Sequence, residues 1–178
     1  LGGKCVLITG GGGTIGSEIA RQVALCKPSR LVCLGRRAEP LLSIQDELRR
    51  QNADVEVSTE VCDVRERNRL AAAFAYHHPN IIFHTAARKD IVPTESDPAE
   101  TVLVNIKGTI NVVELTVANN ADMLLFTSSI KAFRPACVMG VTKRIGELII
   151  SDAAQSPGKI FCTLRLNNVL ESSGGVQS

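Results

Sequence analysis

Aromatic residues are scarce in this chain of 178 residues: they make up 3% of it, with one Tyr and no Trp. Proteins that bind nucleic acid hold phosphates with a basic surface, and those that bind single strands also stack the bases on aromatic rings. The chain carries 20 basic and 18 acidic residues, a net charge of +2, so it has no strong basic field. We therefore expect no nucleic-acid partner.

Paired cysteines and long apolar runs are also missing. None of the six cysteines forms a CxxC pair, and most lie in apolar stretches, where a reduced thiol behaves as a small hydrophobic group. This pattern predicts a cytoplasmic protein without a metal site. No apolar run approaches the ~20 residues of a membrane helix, and no signal peptide precedes the first predicted strand. We expect membrane contact only through a segment outside this chain.

Short β-branched or apolar runs alternate with longer amphipathic stretches, which is typical of a parallel sheet covered by helices on both faces. The predicted strands cover residues 5–9, 30–34, 55–61, 81–85, 123–128 and 160–165. The predicted helices cover residues 14–26, 40–51, 66–76, 98–118 and 138–153. Right-handed crossovers favour the strand order 3-2-1-4-5-6, with a ligand crevice at the carboxyl ends of strands one and four. The sequence therefore predicts an α/β, doubly wound Rossmann-type fold, with residues 1–178 as one domain that lacks most of a C-terminal substrate lobe.

A glycine-rich turn follows the first predicted strand. Gly10, Gly13 and Gly16 are spaced as GxxGxxG, and Thr14 and Ile15 begin the next predicted helix. In such a turn the first glycine makes the bend, the second lets the backbone approach a pyrophosphate, and the third lets the helix pack on the strand. The helix N-terminus offers N–H groups and a positive dipole end to phosphates. The turn predicts a nicotinamide dinucleotide site, with a purely structural turn as the alternative.

The end of the second predicted strand bears on the choice between NAD and NADP. An acidic residue that binds the adenosine ribose usually lies there, about 20 residues after the glycines. This chain has Arg36 and Arg37 instead, and their guanidinium groups suit a 2′-phosphate. We expect NADP, with NAD as the second choice; the alternative is that both arginines are simply solvated.

Six segments, in this order and at this spacing, resemble the CapD-like polysaccharide biosynthesis family. Its members are nucleotide-sugar 4,6-dehydratases and epimerases of the extended short-chain dehydrogenase/reductase class. The segments are residues 10–18, 62–65, 81–87, 105–109, 138–144 and 168–170. The resemblance covers nearly the whole chain. It implies a UDP-sugar substrate and makes a homo-oligomer possible.

The resemblance also implies roles for individual residues. Cofactor contacts are implied for Asp63 and Val64 at the adenine, for Ala86, Ala87 and Arg88 after the fourth strand, for Asn105, which would support the helix facing the site, and for Lys143 at the nicotinamide ribose. Asn168 would touch the nucleotide-sugar. Alternatively, Asp63 caps the helix near residue 66 and Asn105 satisfies a buried backbone group.

The three histidines are not predicted to be catalytic. His84 is expected to be a packed strand residue. His77 and His78 precede a proline and are expected in a surface loop.

Two positions depart from the family's catalytic pattern. Met139 stands four residues before Lys143, where the wider class has a tyrosine base; one branch of the family shares this methionine. After strand five the family has Ser/Thr-Asp-Lys, whereas this chain has Ser129, Ile130 and Lys131, so the usual acid is missing. Ser129 is predicted to bind the sugar, and Lys131 to act as a base if burial lowers its pKa.

Two hypotheses about function follow. In the first, the chain is an NADP-dependent nucleotide-sugar dehydratase or epimerase, or its cofactor-binding part, with Ser129, Lys131 and Lys143 as catalytic residues. In the second, it is a cofactor-binding module without turnover, because Ile130 and Met139 cannot carry protons. The alternative is that the three catalytic candidates have no chemical role. Ser129 and Lys131 would then simply lie at a strand end, and Lys143 on an exposed helix face.

Overall fold

The computed structural model describes residues 1–51 and 54–167. Its six strands are β1 (Cys5–Thr9), β2 (Arg30–Gly35), β3 (Glu56–Val61), β4 (Ile81–His84), β5 (Met123–Ser129) and β6 (Ile160–Leu166). They pair in parallel in the order β3-β2-β1-β4-β5-β6. The predicted Rossmann-type order is confirmed, and the predicted strand ends differ from the observed ones by at most one residue.

Helices connect the strands. The α-helices are α1 (Thr14–Leu25), α2 (Ala38–Gln51), α3 (Arg67–His77), α4 (Ile91–Ser96), α5 (Pro98–Val102), α6 (Gly108–Ala118) and α7 (Val138–Ala153). A π-helical turn, Leu103–Lys107, joins α5 to α6, so the helix predicted over 98–118 is confirmed as one helical run with a π-turn inside it. The helix α4 and a 3₁₀ turn at Ile130–Ala132 were not predicted.

The central strand β1 is buried along its whole length. Val6 and Ile8 pack in the core that contains side chains of α1 and α2. Cys5 and Leu7 pack in the opposite core, with side chains of α3 and α6. Since successive strand residues point to opposite faces, both faces of the sheet are covered. This double burial fixes the carboxyl ends of β1, β2 and β4, where the glycine-rich turn lies.

One helical run within the described residues is long and apolar enough to span a membrane by length and composition. It is Pro98–Ala118, 21 residues with a mean hydropathy of 1.2. The expectation that no segment approaches this length is therefore wrong. However, 56% of its most apolar stretch is buried inside the fold, as in a core helix of a globular domain.

His77 also departs from its predicted place. It is the last residue of α3, it is buried, and its Nε2 lies 2.7 Å from Oε1 of Glu60 on β3. The surface-loop prediction was wrong for His77 because α3 continues one residue beyond the predicted helix. His78, which ends the helix in the left-handed conformation, is exposed as predicted.

Candidate functional site

The glycine-rich turn packs directly against the end of β4. Gly10 has a φ of +73°, and a Cβ there would lie 2.7 Å from Thr85 Oγ1 and 2.8 Å from the Ala86 nitrogen. A Cβ on Gly16 would collide with the carbonyl oxygen of Gly10. Both positions therefore require glycine, and both glycines also line a cavity.

The helix α1 begins at this turn. Its N-cap residue is Gly13, and among the described residues no side chain caps it. Thr14, the first helical residue, is exposed, and Ile15 is half-buried. The first N–H groups of a helix lack partners within it, and the helix dipole makes this end positive. The N-terminus of α1 is therefore suited to bind an anion such as a diphosphate.

A cavity of about 280 Å³ extends from the turn to the ends of β2, β3 and β4. Ten predicted cofactor-binding residues line it: Gly10, Gly13, Ile15, Gly16, Arg36, Arg37, Asp63, Val64, Ala86 and Ala87. Thr85, Lys89 and Val104 also line it and were not predicted. The sequence signal that could have identified these three residues is that each lies within two residues of Ala86, Ala87 or Asn105, which were predicted. Thr14, Arg88, Asn105 and Lys143 lie outside this cavity lining.

The carboxylate of Asp63 is held by Arg65. Oδ1 accepts hydrogen bonds from the Arg65 backbone nitrogen at 2.9 Å and from Nε at 3.0 Å, and Oδ2 accepts from Nη2 at 2.8 Å. Burial acts to raise the pKa of Asp63, but these hydrogen bonds outweigh it and hold the pKa below its usual range. The N-cap residue of α3 is Glu66, and among the described residues no side chain caps this helix, so the capping interpretation of Asp63 was wrong.

The two arginines after β2 lie at the rim of the cavity. Arg36 Nε is 3.9 Å from Asp63 Oδ2, and its side chain is half-exposed. Arg37 pairs with Glu39 at 3.3 Å, and both of these side chains are exposed. Exposed ion pairs of this kind are weak, so an anionic group entering the cavity can compete for either guanidinium.

Asn105, in the π-helical turn, holds the backbone after β4. Its Oδ1 accepts from the Arg88 nitrogen at 2.8 Å, and its Nδ2 donates to the Arg88 oxygen at 3.0 Å and to Thr142 Oγ1 at 2.9 Å. These contacts favour the interpretation that Asn105 satisfies buried backbone groups. The Arg88 side chain donates to the Pro93 oxygen at 3.2 Å, so it is directed toward α4.

Lys143 lies in α7 and is 6% exposed, so the alternative of an exposed helix face was wrong for it. Its Nζ donates to the Thr127 oxygen at 2.8 Å and lies 4.7 Å from the centroid of the Phe126 ring. Burial lowers the pKa of Lys143 to about 8. Met139, one helical turn earlier, is also buried and places a thioether where the wider class has a phenol.

The residues after β5 form a small exposed turn. Ser129 Oγ accepts from the Lys131 nitrogen at 3.2 Å and caps the 3₁₀ turn. The side chains of Ile130 and Lys131 are exposed. The burial on which the base role of Lys131 depended is therefore not found among the described residues. Asn168, the predicted sugar contact, lies outside the described residues.

Comparison with known proteins identifies the family. The family model described as "Polysaccharide biosynthesis protein" matches residues 6–177. The chain belongs to this family. It is 38% identical over 98% of its length to the probable polysaccharide biosynthesis protein EpsC of Bacillus subtilis, and 35% identical over 99% to the capsular polysaccharide biosynthesis protein CapD of Staphylococcus aureus. It spans 29% and 30% of the length of these relatives.

Two solved structures share the fold over most of this family member. Pen from Bacillus thuringiensis has 33% identity and a TM-score of 0.89, covering 98% of this chain and 55% of that one. The UDP-glucose 4-epimerase of Thermus thermophilus, solved with NAD, has 25% identity and a TM-score of 0.75, covering 90% of this chain and 54% of that one. The chain therefore corresponds to about half of each structure.

Proposed function

We propose that this family member binds a nicotinamide dinucleotide, with the diphosphate on the N-terminus of α1. The observation that carries the proposal is the uncapped start of α1, which lies beside a cavity of about 280 Å³. Gly10 and Gly16 are packed so tightly that a Cβ fits at neither, which keeps the backbone accessible to the phosphates. The solved relative from Thermus thermophilus, which carries NAD, supports the same class of ligand.

We propose NADP as the preferred form. Arg36 and Arg37 line the cavity at the end of β2, where an NAD-selective site has a carboxylate. A 2′-phosphate would replace the weak contact of Arg36 with Asp63 by a charge-assisted hydrogen bond. Calorimetry with NADH and NADPH tests this, since Arg36→Ala should reduce the preference for NADPH about tenfold. Equal affinity for both dinucleotides in the unmodified chain would contradict the NADP assignment.

The proposed activity is nucleotide-sugar dehydration or epimerisation in polysaccharide synthesis, with this chain as the cofactor-binding part of the enzyme. A bound oxidised nicotinamide would accept a hydride from the sugar C4. It would return the hydride to C4 in an epimerisation, or to C6 after water has left across C5 and C6 in a dehydration. The buried Lys143 ammonium would hold the nicotinamide ribose, Ser129 would bind the sugar, and Lys131 would act as a base once other parts of the protein cover its exposed side chain. Asn168 would contact the nucleotide-sugar.

Incubation of the whole protein with UDP-N-acetylglucosamine in deuterated water tests this activity. We expect loss of one water from the sugar, deuterium at C5 or epimerisation of the sugar, and Lys131→Ala should abolish all three. An unchanged sugar, without loss of water, epimerisation or deuterium, would contradict the proposal.

The second candidate is a coenzyme-binding module without turnover. It is favoured by two observations: Ile130 replaces the usual acid, and the buried Met139 replaces the usual base. This candidate predicts dinucleotide binding without any change in the sugar, and it gains support if Ile130→Asp creates an activity absent from the wild type. Turnover by the wild-type protein would rule it out.

A homo-oligomer and a cytoplasmic location complete the proposal. Leu103, Ile110 and Val117 are 42%, 38% and 39% exposed and recur every seven residues along one helical run, as at a helix–helix interface. Light scattering on the purified protein is expected to show more than one copy per particle.

The proposed cytoplasmic location rests on the cysteines, because the cytoplasm is the compartment in which six free thiols stay reduced.

A further inference from the structure

The completely buried His84 takes no part in the proposed chemistry, yet it lies between two threonine hydroxyls. Its Nδ1 is 2.7 Å from Thr9 Oγ1, and its Nε2 is 3.0 Å from Thr109 Oγ1. Thr9 is the residue immediately before the glycine-rich turn, and Thr109 lies at the start of α6. The imidazole therefore bridges the first strand and the helical run on the far side of β4.

His84, Thr9 and Thr109 form a chain of hydrogen bonds, and the direction of each bond follows from the end at Thr109. Thr109 Oγ1 is 2.6 Å from the Asn105 carbonyl oxygen, which can only accept, so the hydroxyl proton points there. Thr109 Oγ1 must then accept from His84, so Nε2 carries a proton. On the other side, Nδ1 accepts from the Thr9 hydroxyl, and Thr9 Oγ1 accepts from the Ala86 nitrogen at 3.3 Å.

The surroundings of His84 keep the ring neutral. Burial, and then the nearby Lys143 ammonium, lower the pKa of His84 to about 3. Thr127 connects the two groups, because its hydroxyl donates to the His84 carbonyl oxygen at 3.2 Å and its own carbonyl oxygen accepts from Lys143 Nζ. A neutral imidazole at this position adds no second cation beside the buried ammonium.

The hydrogen-bonded chain closes around the backbone of residues 86–88. At one end it reaches the Ala86 nitrogen through Thr9. At the other end it reaches Asn105, whose side chain holds both the nitrogen and the oxygen of Arg88. Ala86 and Ala87, between these two clamps, line the candidate coenzyme cavity.

From these contacts we infer that His84, as the neutral Nε2–H tautomer, is a positioning residue for the coenzyme site. It holds the backbone after β4 in register with the glycine-rich turn and the π-helical turn. The same chain reaches α7 through the hydrogen bond from Asn105 to Thr142, the neighbour of Lys143. The inference rests on the proposed coenzyme function and assigns to His84 a role in affinity without contact to the ligand.

The chain offers a matched pair of variants on one helix. Thr109→Val removes a hydroxyl that donates to the carbonyl oxygen four residues earlier and also accepts from His84. Thr116→Val removes a buried hydroxyl of α6 that donates to the Val112 oxygen, also four residues earlier, at 2.7 Å. The two variants lose the same bond within the helical run, but only Thr109→Val leaves the His84 Nε2–H unpaired.

We expect Thr109→Val to weaken NADPH and NADH binding about tenfold, the effect of one unsatisfied buried donor. It should also speed amide hydrogen exchange at Ala86 and Arg88. Thr116→Val should leave both properties within about twofold of the wild type, and Thr109→Ser, which keeps the hydroxyl, should restore them. If Thr109→Val does not fold, Thr9→Val takes its place and is expected to show the same weakening.

Nitrogen-15 spectra of the histidines at neutral pH give a readout that needs no ligand. We expect a protonated Nε2 and an unprotonated Nδ1 for His84; an Nδ1–H tautomer or a doubly protonated ring would overturn the inference. Equal dinucleotide affinities of Thr109→Val and Thr116→Val would also overturn it. If the wild type binds neither dinucleotide, the proposed function itself fails, a result distinct from equal binding by the two variants.

Discussion

Replacing Glu147 with Gln tests the electrostatics at the end of the sheet beside Lys143. Glu147 lies on α7, and its side chain is 7% exposed. It accepts from Arg165 Nε at 2.7 Å and Nη2 at 2.6 Å, from Ser128 Oγ at 2.7 Å and from Arg144 Nη1 at 2.9 Å. One carboxylate thus joins β5, β6 and α7, one helical turn after Lys143.

The expected loss of stability follows from the pKa of this carboxyl. Hydrogen bonds from Arg165, then from Ser128 and Arg144, lower the pKa of Glu147 to about 2, against the opposing effect of burial. Relative to the ordinary value of 4.5, this shift corresponds to about 3 kcal/mol of unfolding free energy at pH 7. Because the folded-state pKa is lowered, this contribution is complete above about pH 5. It falls by about half at pH 3 as the carboxylate is protonated.

Urea unfolding of the wild type and Glu147→Gln at pH 7 and pH 3 measures this difference. We expect the unfolding free energies of the two proteins to differ by about 3 kcal/mol at pH 7, and we expect this difference to fall by about half at pH 3. Glu18→Gln is the control, since Glu18 makes an exposed ion pair with Arg21 on α1. Its unfolding free energy should differ little from that of the wild type at both pH values. A difference for Glu147→Gln that does not depend on pH would refute the reasoning.

Three further predictions concern the glycine-rich turn and α7. Gly16→Ala should lower dinucleotide affinity at least about tenfold by calorimetry, because its Cβ would displace the Gly10 carbonyl oxygen; unchanged affinity would argue against the site. In denaturant titrations, the unfolding free energy of Lys143→Met relative to that of the wild type should fall by about 2–3 kcal/mol between pH 7 and pH 10. The sign follows because the folded pKa of Lys143 is lowered, so deprotonation relieves a cost of burial in the wild type alone. A difference that stays constant would contradict that lowered pKa. Glu95→Ala should reduce the unfolding free energy by about 1 kcal/mol, because Glu95 Oε1 accepts from the Val138 nitrogen at 2.6 Å and stabilises the start of α7; an unchanged midpoint would count against this cap.

The strand order and the glycine-rich turn could be predicted because both depend on local patterns. Alternating β-branched runs and amphipathic stretches mark the elements, and right-handed crossovers leave few ways to connect them. The three glycines mark the bend at the end of β1. These signals sufficed for the sheet and for the part of the cavity lining that the glycine-rich turn forms, whereas Asp63, Val64, Ala86 and Ala87 were implied by the family resemblance.

The segment after β4 could not be predicted from local patterns. The helix α4 has six residues and contains Pro93, too short a stretch for a hydrophobic period to be recognised. Part of its anchoring comes from Glu95, which binds the start of α7 more than forty residues later. The π-helical turn lies inside one helical run, for which the sequence predicts a helix but not the hydrogen-bond pattern of each turn.

The burial of single ionisable groups was equally out of reach. The local sequence does not show which of Lys131 and Lys143 is buried. In the structure Lys131 is exposed, whereas Lys143 is buried against Phe126. His84 was expected to be packed in its strand, but its two threonine partners lie 75 and 25 residues away. Such environments depend on tertiary contacts, which periodicity does not encode.

The most direct test of the coenzyme site is a titration of nitrogen-15-labelled protein with NADPH and NADH. If a diphosphate binds at the start of α1, the amide signals of Gly13, Thr14, Ile15 and Gly16 should shift most, in a saturable way, for at least one dinucleotide. No shift of these four signals at millimolar concentrations, or shifts only at sites far from this turn, would contradict the proposed function.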